Sequence, residues 1–317
     1  MSRRASRKAR RARVPALAKI NLDLRVVGKR PDGYHELRTI FQTISLADSL
    51  ELAFTPQRTA SIEIDDALAI PDNLAVRAAR LAMDAMRVTG KLEIHLTKRI
   101  PMGAGLGGGS SDAAAVLLAL PVLAGRKLPL SQLGELAAQL GSDVAFFLQG
   151  GTAIGIGRGN ELFPLPHAPG WRGILAAPGT HVSTADAYRR LSPHLTTESQ
   201  QNKIFSFGCQ VWAGGVSRSA CNDFEAVVFE EHPNLAALKR KLQRSGAALA
   251  LLSGSGSAVF GLFRTSGEVS RALARLKEEN AFRVSLVSRA RYRRLWWRAL
   301  EEHIDHRIWP PQSRYVP

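Results

Sequence analysis

Apolar and polar residues alternate from Leu17 to Val27, with Ile20, Leu22, Leu24 and Val26 on one side. That two-residue period predicts a strand with one buried face. Gly28 to Gly33 then breaks the pattern with glycine and a Pro-Asp-Gly triplet at turn positions. Strand character returns from Leu37 to Leu52 and from Ser61 to Ile64. An Ala- and Arg-rich run after Pro71-Asp72-Asn73 predicts a helix to Met86, capped by Asp72 or Asn73. Lys91 to Ile100 alternates around Leu92, Ile94 and Leu96 and predicts a strand feeding a glycine-rich stretch. A helix from Ser111 to Leu120 leaves that stretch.

Further on, the pattern predicts a helix over 131–140 ended by Gly141, then an apolar segment around Phe146 and Phe147. Glycine-punctuated hairpin strands follow, to Gly159. Pro164 to Gly170 reads as a domain boundary. Beyond it come strands at 174–177 and 258–263, helices at 183–191, 234–245 and 267–279, and a closing strand. Residues 195–220 are polar and weakly patterned. Helix and strand are mixed throughout without an internal repeat, which predicts an α+β protein of two domains.

Composition adds little to this except at the ends. The 317 residues are 45% hydrophobic and 22% charged, ordinary for a chain that buries a core. Two cysteines, Cys209 and Cys221, form neither a disulfide framework nor a metal-ligand spacing. No apolar run approaches the roughly 18–20 residues that span a bilayer, and the N-terminus lacks the apolar stretch of a signal peptide. A soluble cytoplasmic protein without membrane contact is therefore expected. The net charge of +16 is concentrated at the ends: residues 1–13 carry +7 and residues 281–317 carry +5. Residues 1–13 read as a disordered basic arm. Arg289 to Arg298 interleaves Tyr292, Trp296 and Trp297 with arginines. That pattern fits a packing helix followed by a solvated tail, or an aromatic-basic surface for nucleic acid.

The chemistry concentrates at Pro101-Met-Gly-Ala-Gly-Leu-Gly-Gly-Gly-Ser-Ser-Asp, where five of seven residues from Gly103 to Gly109 are glycine. Glycines permit close backbone approach. Ser110 and Ser111 then start a helix whose free N–H groups and dipole favour an anion. Strand, glycine loop and serine-capped helix make a phosphate cradle. The dinucleotide fingerprint is excluded because no acid follows at the ribose-binding distance; residues 120–134 contain none. The Walker loop is excluded because Gly-Lys-[Ser/Thr] is absent.

Three weaker signals accompany the loop. Lys19 and Asn21 lie two apart on a strand and share a face; they fit equally a phosphate-holding pair and an ordinary half-exposed strand. Asp143 follows Gly141-Ser142 and precedes an apolar run, as either a general base or a turn aspartate capping the next helix. Ser253-Gly-Ser-Gly-Ser257 is a second flexible backbone loop.

In this order the segments resemble the GHMP kinase superfamily. Arg30-Pro-Asp-Gly-Tyr-His-Glu36, Asp72-Asn73-Leu74 and Asn222-Asp-Phe-Glu225 extend the resemblance to one branch, which phosphorylates the 2-hydroxyl of 4-diphosphocytidyl-2-C-methyl-D-erythritol for non-mevalonate isoprenoid synthesis. The resemblance covers about residues 15–288. It implies a two-domain GHMP fold with its site in the interdomain cleft, an N-terminal ATP-binding domain over 14–168, a C-terminal domain over 169–288, and an extension over 289–317. ATP would be the co-substrate with Mg²⁺, whose ligands stay unassigned, and the second partner a cytidine-diphosphate-linked sugar alcohol. The enzyme would act as a monomer or homodimer.

By the same resemblance Asp143 would be the base and Lys19 would hold the reacting hydroxyl, with Asn21 contacting the substrate nearby. Tyr34 and Tyr188 would stack on cytosine and His35 would hydrogen-bond it. Asn73 and Lys98 would lie near adenine. Pro101, Gly103, Gly105, Gly107, Gly108, Gly109, Ser110 and Ser111 would cradle the phosphates. Another small alcohol is the alternative substrate. Ala145 and Ser257 replace prolines common in the family, and Gly159-Asn-Glu161 carries an extra residue.

Overall fold

A computed structural model describes residues 8–167, 170–192, 207, 208, 211, 216 and 219–316. Most of the weakly patterned stretch 195–220, including Cys209, lies outside the described residues, as do residues 1–7.

The first half of the chain builds one large sheet. Its strands are β1 (Arg10–Lys29), β2 (His35–Pro56), β3 (Ser61–Asp66), β4 (Gly90–Thr97), β5 (Thr152–Gly157) and β6 (Glu161–Leu165). They lie in the order β3-β4-β2-β5-β6, with β1 also paired to β2. β1 and β2 are antiparallel over almost their whole length, with register shifts at Leu17/Lys19, Asn21/Asp23 and Val26/Gly28. Such bulges bend and twist a strand. One end of β2 thereby pairs with β4 and the other with β5.

Four helices cover this sheet: α1 (Leu74–Met86), α2 (Gly108–Ala124), α3 (Leu130–Leu140) and the short α4 (Val144–Phe147). Asn73 caps α1, its side chain accepting from the Ala75 N–H at 2.9 Å. α2 is apolar all round, and every residue from Ser111 to Leu123 is buried. A helix with no polar face belongs inside a core.

The second half forms an antiparallel sheet in the order β10-β7-β9-β8. These strands are β7 (Arg172–Ala176), β8 (Leu249–Leu252), β9 (Val259–Phe263) and β10 (Ala281–Ser285). Its helices are α5 (Thr184–Leu191), α6 (Glu225–Glu231), α7 (Pro233–Arg244) and α8 (Ser266–Arg275). The two-domain α+β expectation is met. β1 ties the halves together. Ile20 and Leu22 share a buried cluster with Leu251 and Phe260 of the second sheet, while Leu24 and Val26 pack with Val182 and Phe224.

Both ends depart from expectation. Arg10 to Arg13 are not part of a loose arm but the start of β1, paired with Phe54 to Glu51. Arg11 and Arg13 face outward while Ala12 and Val14 turn inward; arginine's solvent-seeking head hides the alternation in the sequence. The C-terminal extension is part of the first domain. It forms α9 (Arg289–Ala299), whose Tyr292 and Trp296 are each 1% exposed in that domain's core. The chain stays packed beyond it, with the Ser313 hydroxyl donating to Val122 O at 2.7 Å. A solvated tail is therefore excluded for residues up to 316, and Tyr292 and Trp296 present no stacking surface to a nucleic acid. No helix among the described residues is long and apolar enough to cross a membrane.

Candidate active site

The glycine loop joins β4 to α2 with Gly103, Gly105 and Gly107 at φ +63°, +73° and +69°. These left-handed angles are open to glycine at no steric cost. The loop is also closely overlaid. A Cβ on Gly105 would lie 2.0 Å from Ser253 O, and the Ser253 hydroxyl donates to Gly105 O at 3.1 Å. The Ser253–Ser257 loop of the second domain thus seats directly on the glycine loop.

The helix after the loop starts earlier than expected. Gly107, not a serine, occupies the cap position, and Gly108 and Gly109 form the first turn. Ser110 lines the cleft, but Ser111 is 2% exposed and its hydroxyl donates to Leu17 O at 2.7 Å. Ser111 therefore anchors α2 to β1 rather than facing a phosphate.

Lys98 departs from expectation in the same way. Its ammonium is buried between Asp48 at 2.5 Å and Asp112 at 2.8 Å. Asp48 also accepts from the N–H groups of Arg99 and Ile100, at 2.5 and 2.8 Å. The lysine thus clamps the entry of the loop to the helix that leaves it. Among the described residues Asp112 Oδ1 has no hydrogen-bond partner. Burial pushes this carboxyl up to about 7, the Asp48 charge adds to the rise, and Lys98 opposes it. Asn73 has its amide committed to the α1 cap and to Asp66 at 3.1 Å.

Next to the loop the weaker signals converge. Lys19 and Asn21 share a face as their spacing predicts, but both are buried rather than half-exposed. Lys19 Nζ donates to Asn21 Oδ1 at 2.8 Å, and the same oxygen accepts from the Gly254 N–H at 3.0 Å. Asn21 Nδ2 donates to the Thr39 hydroxyl at 2.7 Å. Lys19 Nζ also lies 3.4 Å from Asp143 Oδ2. Asp143 sits at the start of α4 but makes no cap bond. Its side chain, 30% exposed, faces the cleft instead.

Thr39 and Asn222 also hold this corner, and local sequence signals give neither a role. Asn222 Nδ2 donates to both Leu252 O and Gly254 O, at 2.8 and 2.7 Å. Paired polar groups of this kind, fixed before a ligand arrives, can stabilise charge without reorganising.

From this corner a cleft of about 930 Å³ runs between the domains to an aromatic end. There His35 stacks on Tyr188, with centroids 4.6 Å apart and planes 23° apart, and its Nε2 is 2.9 Å from the Ser192 hydroxyl. Tyr188 packs edge-on against Phe224. Tyr34 is 52% exposed, and the Arg158 guanidinium lies 3.5 Å from its ring centroid. The expected aromatic residues are therefore together, but Tyr188 and Tyr34 each have a ring face covered by a side chain of the protein. A second cavity, of about 510 Å³, lies over the first sheet among Glu51, Glu63, Asp65, Glu93 and His95. Several of its polar groups meet one another or a neighbour, as His95 Nδ1 does Asp65 at 2.7 Å and Glu63 does Lys91 at 2.9 Å.

Similarity to known proteins accords with this geometry. Residues 73–151 match the GHMP kinases N terminal domain and residues 212–281 the GHMP kinases C terminal domain. A 4-diphosphocytidyl-2-C-methyl-D-erythritol kinase of Solibacter usitatus (strain Ellin6076) is 66% identical over 312 residues, covering 97% of this chain and 99% of the relative. The chain belongs to the 4-diphosphocytidyl-2-C-methyl-D-erythritol kinase family.

A family member of Geobacillus sp. (strain WCH70) is 42% identical over 266 residues, 81% of this chain and 90% of its own length. A crystal structure of 4-(cytidine 5'-diphospho)-2C-methyl-D-erythritol kinase superposes with a TM-score of 0.73 at 37% identity. It covers 86% of this chain and 98% of its own. The protein is thus a small-molecule kinase of the GHMP type with ATP as co-substrate. Of the segments that carry the family resemblance, Lys19 and Asn21, Tyr34 and His35, Asp143 and the two loops border the cleft.

Proposed function

We propose that the protein transfers the γ-phosphoryl group of ATP to the 2-hydroxyl of 4-diphosphocytidyl-2-C-methyl-D-erythritol, in non-mevalonate isoprenoid precursor synthesis. One observation carries the residue roles: the Lys19–Asp143 pair lies in a single cleft, flanked by the glycine loop on one side and the Tyr34–His35–Tyr188 corner on the other.

Asp143 takes the hydroxyl proton as the oxygen bonds to the γ-phosphorus and the bond to the β-phosphate oxygen breaks, releasing ADP. Lys19, held by Asn21, keeps the hydroxyl and carboxylate in register and offsets the developing charge. The N–H groups of Gly108 and Gly109, at the free end of α2, receive phosphate oxygens, with the Ser110 hydroxyl beside them. Lys98 supports this loop from beneath, and Asn73, as the α1 cap, would lie near the adenine.

Among the described residues no three His, Cys, Asp or Glu side chains gather to hold a metal. Such a donor set fits a Mg²⁺ carried in on the ATP phosphates, since this ion commonly takes only one or two protein oxygens. The Ser110 hydroxyl, which lines the cleft at the start of α2, would supply a protein oxygen to it. When bound, the ion neutralises charge on the phosphates. The free thiol of Cys221 accords with a cytoplasmic location.

Coupled ADP release tests the substrate. Turnover should depend on the cytidine compound, and equal rates with mevalonate or homoserine would refute the assignment. The aromatic corner gives a second test through pH. Burial, helped by Lys29, lowers the His35 pKa below its usual 6.5, so the ring is neutral at pH 7. The acid limb in KM for the cytidine substrate should therefore be centred below pH 6.5. In His35→Gln that acid limb should disappear from the KM profile; its persistence would show that another group titrates.

A further inference from the structure

The segment beyond residue 288 carries none of the family motifs, yet it packs against the element that holds the proposed base. α4 has only four residues, Val144–Phe147. A helix this short lacks the length to sustain itself, and its last carbonyls have no donor within the helix.

Backbone N–H groups of residues 148–150 meet the Ala145 and Phe146 carbonyls, and the C-terminal segment supplies donors to the next two. The buried Tyr292 hydroxyl donates to Phe147 O, and Trp309 Nε1 donates to Leu148 O at 3.0 Å. Arg289 Nη2 donates to Thr152 O at 2.7 Å, just past the turn that follows α4. That turn is shaped to receive α9. A Cβ on Gly150 would lie 2.4 Å from the Tyr292 ring, and one on Gly151 would lie 2.8 Å from the Arg289 backbone. Tyr292, Trp296 and Leu300 share one buried cluster with Val144, Phe146 and Phe147. Asp143 stands at the opposite end of α4, one turn away, with no cap bond to fix it.

We infer that the C-terminal extension is a brace for the base: Tyr292 and Trp309 are positioning residues for phosphoryl transfer, acting through α4 on Asp143. The inference rests on the reading of Asp143 as the proton acceptor. Displacement of a reacting group by a fraction of an ångström changes the chemical step before it changes ligand binding. The brace therefore predicts an effect on kcat with little on KM.

The experiment compares Tyr292→Phe, Trp309→Phe and their double variant with Trp297→Phe in the full-length chain. Trp297 donates to Ile308 O at 3.0 Å within the extension and serves as the control. The shape-conserving double variant should lose about ten-fold in kcat, with both KM values and the ATP Kd within about two-fold of the original, while Trp297→Phe stays at the original rate. Tyr292→Phe alone gives the same split, at smaller size, should the double variant fail to fold.

Adding Tyr292→Phe to Asp143→Asn should cost nothing further, because a brace has no effect once the group it positions is gone. Unchanged kcat in a folded brace variant, a parallel rise of both KM values, or a multiplicative loss in the Asp143→Asn background would each overturn the proposal. Failure of the base reading looks different: Asp143→Asn alone would keep its turnover.

Discussion

Asp143→Asn should lower kcat by at least about 100-fold while leaving the ATP Kd within about two-fold, the loss being set by the usual contribution of a positioned general base. The change keeps the shape of the side chain and removes both its charge and its proton affinity. Lys19 is left 3.4 Å from a neutral amide, and its ammonium then lowers the basicity of the bound hydroxyl without any group to take the proton. ATP contacts lie elsewhere, on the glycine loop and the start of α2, so the nucleotide should bind as before. Single-turnover ADP release measures the chemical step and calorimetry the affinity. Turnover within ten-fold of the original would remove Asp143 from its role. Loss of ATP binding in step with kcat would place it in nucleotide recognition instead.

The second large effect is expected at Gly105, where the two domains meet. Alanine there would bring its Cβ to 2.0 Å from Ser253 O and 3.1 Å from Gly256 O, and these are backbone atoms that cannot swing aside. The residue also sits at φ +73°, which costs an L-residue about 1–2 kcal/mol. Overpacking adds about 1–3 kcal/mol.

Relief requires the Ser253–Ser257 loop to lift away. That would break the Ser253 bond to Gly105 O and draw the Gly254 N–H off Asn21. Gly105→Ala should therefore lose about 2–5 kcal/mol of stability and about 100-fold in kcat/KM through misplaced Lys19 and loop groups. Gly179→Ala separates the two causes. That residue has φ +78° but nothing among the described residues within 4 Å of a Cβ, so the backbone cost is the one that applies. Equal stability of the two variants by urea melts would mean that the Gly105 contact is not a constraint.

Much of the site is legible in the sequence because the relevant signals are local. The two-residue period places Lys19 and Asn21 on one face, and the glycines mark a loop that enters a helix. The place before an alanine-rich run narrows the α1 cap to Asp72 or Asn73. Other features are hidden for reasons that are equally physical. Arg11 and Arg13 conceal a strand, since a long basic side chain can alternate on an outer face as any polar residue does. Ser111 looks like a cap, but helical glycines ahead of it move the helix start to Gly108 and turn its hydroxyl to Leu17 O. The arginines around Tyr292 and Trp296 suggest an exposed basic surface, whereas the rings face inward.

Periodicity and turn chemistry act over a few residues, so the sequence by itself determined most of the strands and helices, the phosphate loop and, through its motifs, the family. Which groups become partners is decided by chain closure across long separations, and only the tertiary structure reveals it. Asn21 meets Gly254 because β1 runs through both domains. Lys98 finds Asp48 because the end of β4 lies beside β2. Asp143 owes its place to a four-residue helix held from behind by the C-terminal segment. A buried ion or carbonyl must find its partner wherever the fold brings one, and no local pattern encodes that position.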